Sequence, residues 1–70
     1  MLREMRVSAG LLQEDLAKRL ERPQTYVSRF ETGEKMLDVP ELRQICKALG
    51  ATLPQFIADF ESRLQNIGIE

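Results

Sequence analysis

The stretch that decides the fold is Gln13–Glu34, QEDLAKRLERPQTYVSRFETGE. Apolar residues recur in it at helical spacing in two short runs, Leu16, Ala17 and Leu20, then Val27 and Phe30. Arg22-Pro23 separates the runs. Proline fixes φ and lacks an N–H, so it belongs at the start of a helix and not inside one. The stretch therefore predicts two helices, about 13–21 and 24–32, joined by a tight corner, with Gly33 ending the second. Between the apolar positions of the second helix lie Gln24, Thr25, Tyr26, Ser28 and Arg29. They form a row of hydrogen-bonding side chains with no evident partners in so small a chain.

The flanking segments read as supports for this pair. Residues 2–9 predict a helix with Leu2, Met5 and Ala9 on one face, stopped by Gly10. Glu14 and Asp15 suit the first turn of helix 13–21, and Lys18 and Arg19 its last, in the field of the helix dipole. Leu12 is a poor cap there. Residues 33–37 predict a loop. Asp38-Val39-Pro40-Glu41 is a strong helix start: Asp38 caps, Pro40 fits the first turn, and Glu41 completes a capping box. Leu37 and Leu42 occupy the positions of a hydrophobic staple. Helix 39–49 carries Val39, Leu42, Ile45, Cys46 and Leu49 on one face and ends at Gly50. Thr52-Leu53-Pro54-Gln55 repeats the start pattern. It opens a helix 53–65 striped with Leu53, Phe56, Ile57, Phe60 and Leu64, followed by a short tail, 67–70. No strand pattern, linker or repeat is present. The expectation is an all-α fold of five short helices in one domain, residues 1–66.

Composition narrows the function. Seventy residues bury only roughly 60% of the unfolded surface, so the core is small. Cys46 is the only cysteine and there is no histidine, which excludes a disulfide framework and the usual zinc ligand sets; no metal and no cofactor is expected. Cys46 reads as a small core residue in a reducing, cytoplasmic setting. No apolar run is long enough to cross a membrane, and no secretory signal pattern opens the chain. Net charge is −1, but residues 1–35 hold seven Lys/Arg against six Asp/Glu, and residues 36–70 three against five. The half with the polar row is thus the more basic. A net-acidic domain can still present a basic face to phosphates. The carboxylates are scattered and there is no nucleophile–base set, so an enzyme is not expected.

At this point the residues carry a likeness. The text L2-R-E-M-R6, G10-L-L-Q-E-D-L-A-K-R-L20, P23-Q-T-Y-V-S-R-F-E-T-G33 and L42-R-Q-I-C-K-A-L-G50 resembles the Cro/repressor-type helix-turn-helix family (XRE-like, lambda-repressor-like) of phage and bacterial regulators. The match runs in order through residues 2–64. The resemblance implies double-stranded DNA as partner, with helix 24–32 in the major groove, which is wide enough for one helix.

Helical phase supports the same use. With Val27 and Phe30 turned inward, Gln24, Thr25, Ser28 and Arg29 face away and become the candidate base readers. Gln pairs with adenine N6 and N7, Arg with guanine O6 and N7, and Thr offers a methyl to thymine. Tyr26 lies nearer the edge, a candidate phosphate contact. Gln13 opens its helix, where free N–H groups favour an anion. In the family the matching Gln touches a phosphate and braces the Gln that starts the recognition helix, here Gln24. Lys35, Arg22 and Arg3 are further phosphate candidates. The resemblance assigns Arg6 and Glu31 to a partly buried ion pair between helix 1 and the recognition helix. It also implies a homodimer on a near-palindromic operator, paired through the C-terminal helix, because one domain reads only about four or five base pairs. Phe60, Leu64, Ile67 and Ile69 are the candidate dimer contacts.

Three residues depart from the family pattern. Leu12 replaces a capping Ser or Thr, Glu21 stands where the corner usually has Gly, and Met36 falls where relatives carry Arg. All three point to weaker DNA binding than the family norm. They leave open an alternative, a helical protein–protein interaction module on the same fold.

Overall fold

The computed structural model describes residues 1–66, which form five α-helices and no strand: α1 Leu2–Ser8, α2 Gln13–Leu20, α3 Gln24–Thr32, α4 Val39–Ala48 and α5 Leu53–Asn66. The ends differ from the sequence expectation by single residues. Helices α1, α2 and α4 stop one residue early, at the caps Ala9, Glu21 and Leu49, and α5 runs one residue further. The tail at 67–70, with Ile67 and Ile69, lies outside the described residues.

Local chemistry explains where each helix starts. Asp38 and Glu41 close a capping box, with Glu41 N–H donating to Asp38 Oδ1 at 2.8 Å and Asp38 N–H donating to Glu41 Oε1 at 3.2 Å. Thr52 and Gln55 do the same for α5, at 3.2 and 3.3 Å. For α2 the box is only half built. Leu12 N–H donates to Asp15 Oδ2 at 2.8 Å, but Leu12 has no side-chain acceptor to give in return.

The core is made where α2, α3 and α4 meet. Leu16, Ala17, Val27, Phe30 and Ile45 are buried together, with Leu2, Leu20, Tyr26, Leu37, Ala48 and Leu49 packed around them. Cys46 is fully buried, and burial pushes its thiol up, consistent with an inert core residue. Helix α2 packs on α3 and α4, and α5 packs on α4. Arg19 joins α2 to the end of α4 by donating to the Ala48 carbonyl at 2.9 Å. Arg63 of α5 grips Glu4 of α1 with two hydrogen bonds, 2.9 and 3.2 Å.

Two apolar faces are less buried than their periodicity implies. Val39 is 64% exposed, and of the α5 stripe only Phe56 is buried, leaving Ile57 and Phe60 about half exposed. The physical reason is size. One layer of helices against α2 and α4 uses one edge of α5, and no sixth helix covers the other among the described residues. Those residues contain no helix long and apolar enough to cross a membrane.

Candidate nucleic-acid interface

The corner between α2 and α3 sets the angle of α3. Immediately after Leu20, Glu21 adopts φ 56° and ψ 43°, in the left-handed region. Its N–H donates to the Lys18 carbonyl at 3.1 Å, and that of Arg22 to the Ala17 carbonyl at 3.0 Å. This is the Schellman closure of a helix end. The same pair of bonds follows α1 and α4, where the left-handed residue is Gly10 and Gly50. At the corner, glutamate does the work of glycine. Pro23, with φ −63° and ψ 154°, then caps α3, so the helix begins at Gln24.

Helix α3 buries Val27 and Phe30 and presents Gln24, Thr25 and Arg29 to solvent, with Ser28 half-buried beside them. The structure thus brings the four candidate base readers onto one outward face. Arg3 and Arg22 are also exposed. Arg22 lies 5.2 Å from the centroid of the Tyr26 ring.

A line of polar contacts runs to this face from the interior. Arg6 Nε donates to Glu31 Oε2 at 2.6 Å and Arg6 Nη2 to Glu31 Oε1 at 3.1 Å, between side chains only 9% and 3% exposed. A third donor, Arg6 Nη1, takes the Leu11 carbonyl at 2.8 Å and so fixes the α1–α2 turn. Gln13 Nε2 donates to Glu31 Oε1 at 3.0 Å, and Gln24 Nε2 donates to Gln13 Oε1 at 3.3 Å. Burial alone would raise the Glu31 carboxyl pKa. The bonds from Arg6 and Gln13 and the charges of Arg6 and Arg3 outweigh it and hold the carboxyl below its usual range.

Tyr26 and Lys35 sit differently from the sequence expectation of phosphate contacts. Tyr26 Oη donates to Glu41 Oε2 at 3.0 Å, and Lys35 Nζ pairs with the same oxygen at 3.2 Å. Lys35 also lies 5.5 Å from the Tyr26 ring centroid, and Tyr26 meets Phe30 edge to face at 5.6 Å. Burial pushes the Tyr26 phenol up, and the Glu41 carboxylate adds to it. Glu41 itself is held low by the Asp38 N–H, Tyr26 and Lys35. Both residues are therefore committed to Glu41 in the free protein. Glu41 reads from the sequence only as half of a capping box. Its second role depends on how α4 docks beside α3, for which spacing carries no signal.

Of the dimer candidates, Phe60 is 45% exposed and Leu64 half-buried, while Ile67 and Ile69 lie outside the described residues. Phe60 lines a groove of about 450 Å³ between α1 and α5, with Leu2, Phe30, Phe56 and Ile57 among its walls.

A family model described as a helix-turn-helix domain matches residues 1–56. The structure is similar to that of an XRE-family like protein from Pseudomonas syringae pv. tomato str. DC3000. The two share 39% sequence identity with a TM-score of 0.83, over 89% of this chain and 76% of that one. No curated protein matches the chain.

Proposed function

The chain belongs to the XRE-like helix-turn-helix family of DNA-binding regulators, and from that premise we propose that it binds one double-stranded sequence as a homodimer, with α3 in the major groove. The observation that carries this reading is the outward face of α3. Gln24, Thr25 and Arg29 are exposed on a helix whose other side is locked into the core. Polar groups held at fixed positions with donors or acceptors still available are what base edges require; Gln24 spends one amide N–H on Gln13 and keeps its second N–H and its carbonyl oxygen.

In this reading Gln24, Thr25, Ser28 and Arg29 read bases, and Gln13, Arg22 and Arg3 hold phosphates. Tyr26 and Lys35 reach the backbone only by leaving Glu41. The half-exposed Ile57 and Phe60, with Leu64, form the dimer contact, which sets two α3 helices roughly 34 Å apart on a near-palindrome. The cellular role is that of a small cytoplasmic bacterial or phage regulator: a repressor, a controller or an antitoxin-like module. A second reading, a protein-interaction module, draws on the 90% exposed Met36 and on the capture of Lys35 by Glu41.

Selection of preferred sites from a random duplex pool separates the two. The DNA reading predicts a near-palindromic consensus with half-sites about one helical turn apart. It also predicts that Arg29→Ala relaxes one position and costs about 1–3 kcal/mol on the selected site. A pool that never converges supports the protein-interaction module instead.

A further inference from the structure

We propose that the groove between α1 and α5 is a binding site for a small aryl carboxylate: the ring lies among Phe30, Phe56 and Phe60, and the carboxylate pairs with Arg3 at the rim.

Shape and lining point to a small molecule. The volume, about 450 Å³, falls within the roughly 300–1,000 Å³ typical of such sites. The walls come from four helices, with Leu2 of α1, Phe30 of α3, Leu42 of α4 and Phe56 of α5. All three phenylalanines of the chain stand on them. Phe30 and Phe56 are buried and form the floor, while Ile57 and Phe60 are about half exposed and form the mouth. Ring faces and edges offered together favour an aromatic guest over an alkyl one. A helix with its side chains is about 10–12 Å across, too broad to enter a groove of about 450 Å³. A second copy laid on Ile57 and Phe60 therefore covers the mouth and leaves the floor.

Charge sets the polar group of the guest. Two charged side chains line the groove, Glu31 and Arg3. Glu31 offers nothing further: its side chain is 3% exposed, and its oxygens already accept from Arg6 and Gln13. Arg3 is exposed, and its guanidinium has no ion-pair partner among the described residues. Its charge helps to hold the Glu31 carboxyl low, which sets the guanidinium beside this wall. A free guanidinium takes a planar carboxylate by two parallel N–H bonds. A cationic guest finds no counterpart. Arg3 is also a phosphate contact in the reading above, so a guest that takes it weakens DNA binding. That consequence rests on the DNA reading; the site does not.

The test titrates the protein, without DNA, with 4-phenylbutyrate and follows the methyl NMR signals of Leu2, Leu42 and Ile57. Saturable 1:1 binding is expected, with those methyls shifting first and a Kd of about 1 mM or tighter for a ligand of this size. The uncharged 4-phenylbutanol should bind about three- to tenfold more weakly, and 4-phenylbutylamine more weakly still. Arg3→Gln should bring the acid to the level of the alcohol and leave the alcohol unchanged, whereas Phe60→Ser should weaken both. No saturation by about 10 mM, or an amine that binds as tightly as the acid, overturns the proposal. Affinity that falls as the protein concentration rises also overturns it, by giving the groove to a second copy of the chain. On the selected duplex, saturating 4-phenylbutyrate should weaken the wild type and spare Arg3→Gln. Equal weakening of both refutes the capture of Arg3 from a phosphate. A wild type that binds no duplex refutes the DNA reading, while the titration without DNA still decides the site.

Discussion

Replacing Glu21 by glycine should stabilise the domain, although glycine is normally a destabilising choice. Glu21 has φ 56° and is the one non-glycine residue with positive φ among the described residues. A side chain in that region costs about 1–2 kcal/mol, from crowding of Cβ against the next carbonyl. Glycine removes the crowding but gives the unfolded chain more freedom, which takes back about 0.4–1 kcal/mol. The net gain is about 0.5–1 kcal/mol, or roughly 2–8 °C in Tm for a domain of this size. Thermal and urea unfolding followed by circular dichroism measure it. Glu21→Ala is the control. It removes the same charge but keeps the Cβ, and should lie within about 0.5 kcal/mol of wild type. If alanine stabilises as much as glycine, the charge is the cause and not the backbone. If glycine destabilises, the corner carries no strain and the reasoning fails.

The other predictions concern the polar contacts. Arg6→Met strands the Glu31 carboxylate and should cost about 3–5 kcal/mol, whereas Arg6→Met/Glu31→Met should recover most of it, as read by urea unfolding. Because the Glu31 pKa is lowered in the folded state, its contribution is complete above the ordinary value of 4.5 and is lost as pH falls through the lower folded value. Tm should therefore be level near neutrality and fall below about pH 4.5, less steeply in the double variant. Glu41→Gln keeps the capping box but removes the charge that holds Lys35. It should steepen the salt dependence of DNA binding by about 0.9 for the phosphate contact that Lys35 gains, and an unchanged slope would mean Lys35 never faces the backbone.

Sequence carries most of this fold because its punctuation is chemical. Pro23 cannot sit inside a helix, Asp38 and Glu41 form a box by themselves, and the phase of Val27 and Phe30 dictates that Gln24, Thr25 and Arg29 face outward. Each of these signals is local. The features that stayed hidden are those set by docking. Periodicity marks Ile57, Phe60 and Val39 as an apolar face but not whether a neighbour exists to cover them; here one covers only Phe56. Tyr26 and Lys35 read as free groups at the edge of α3 until α4 brings Glu41 against them. The Gln13–Glu31 bond spans eighteen positions and likewise depends on how α2 crosses α3.

The central claim is that the outward face of α3 reads duplex DNA. Its most direct test is the affinity of the wild-type protein for a selected duplex and for random duplex, each titrated over a range of salt concentrations. The account predicts tighter binding of the selected duplex at every salt concentration. It also predicts a linear fall of log K with log salt, at about −0.9 per phosphate contact. No duplex binding even at about 50 mM salt, where phosphate contacts are strongest, would contradict it.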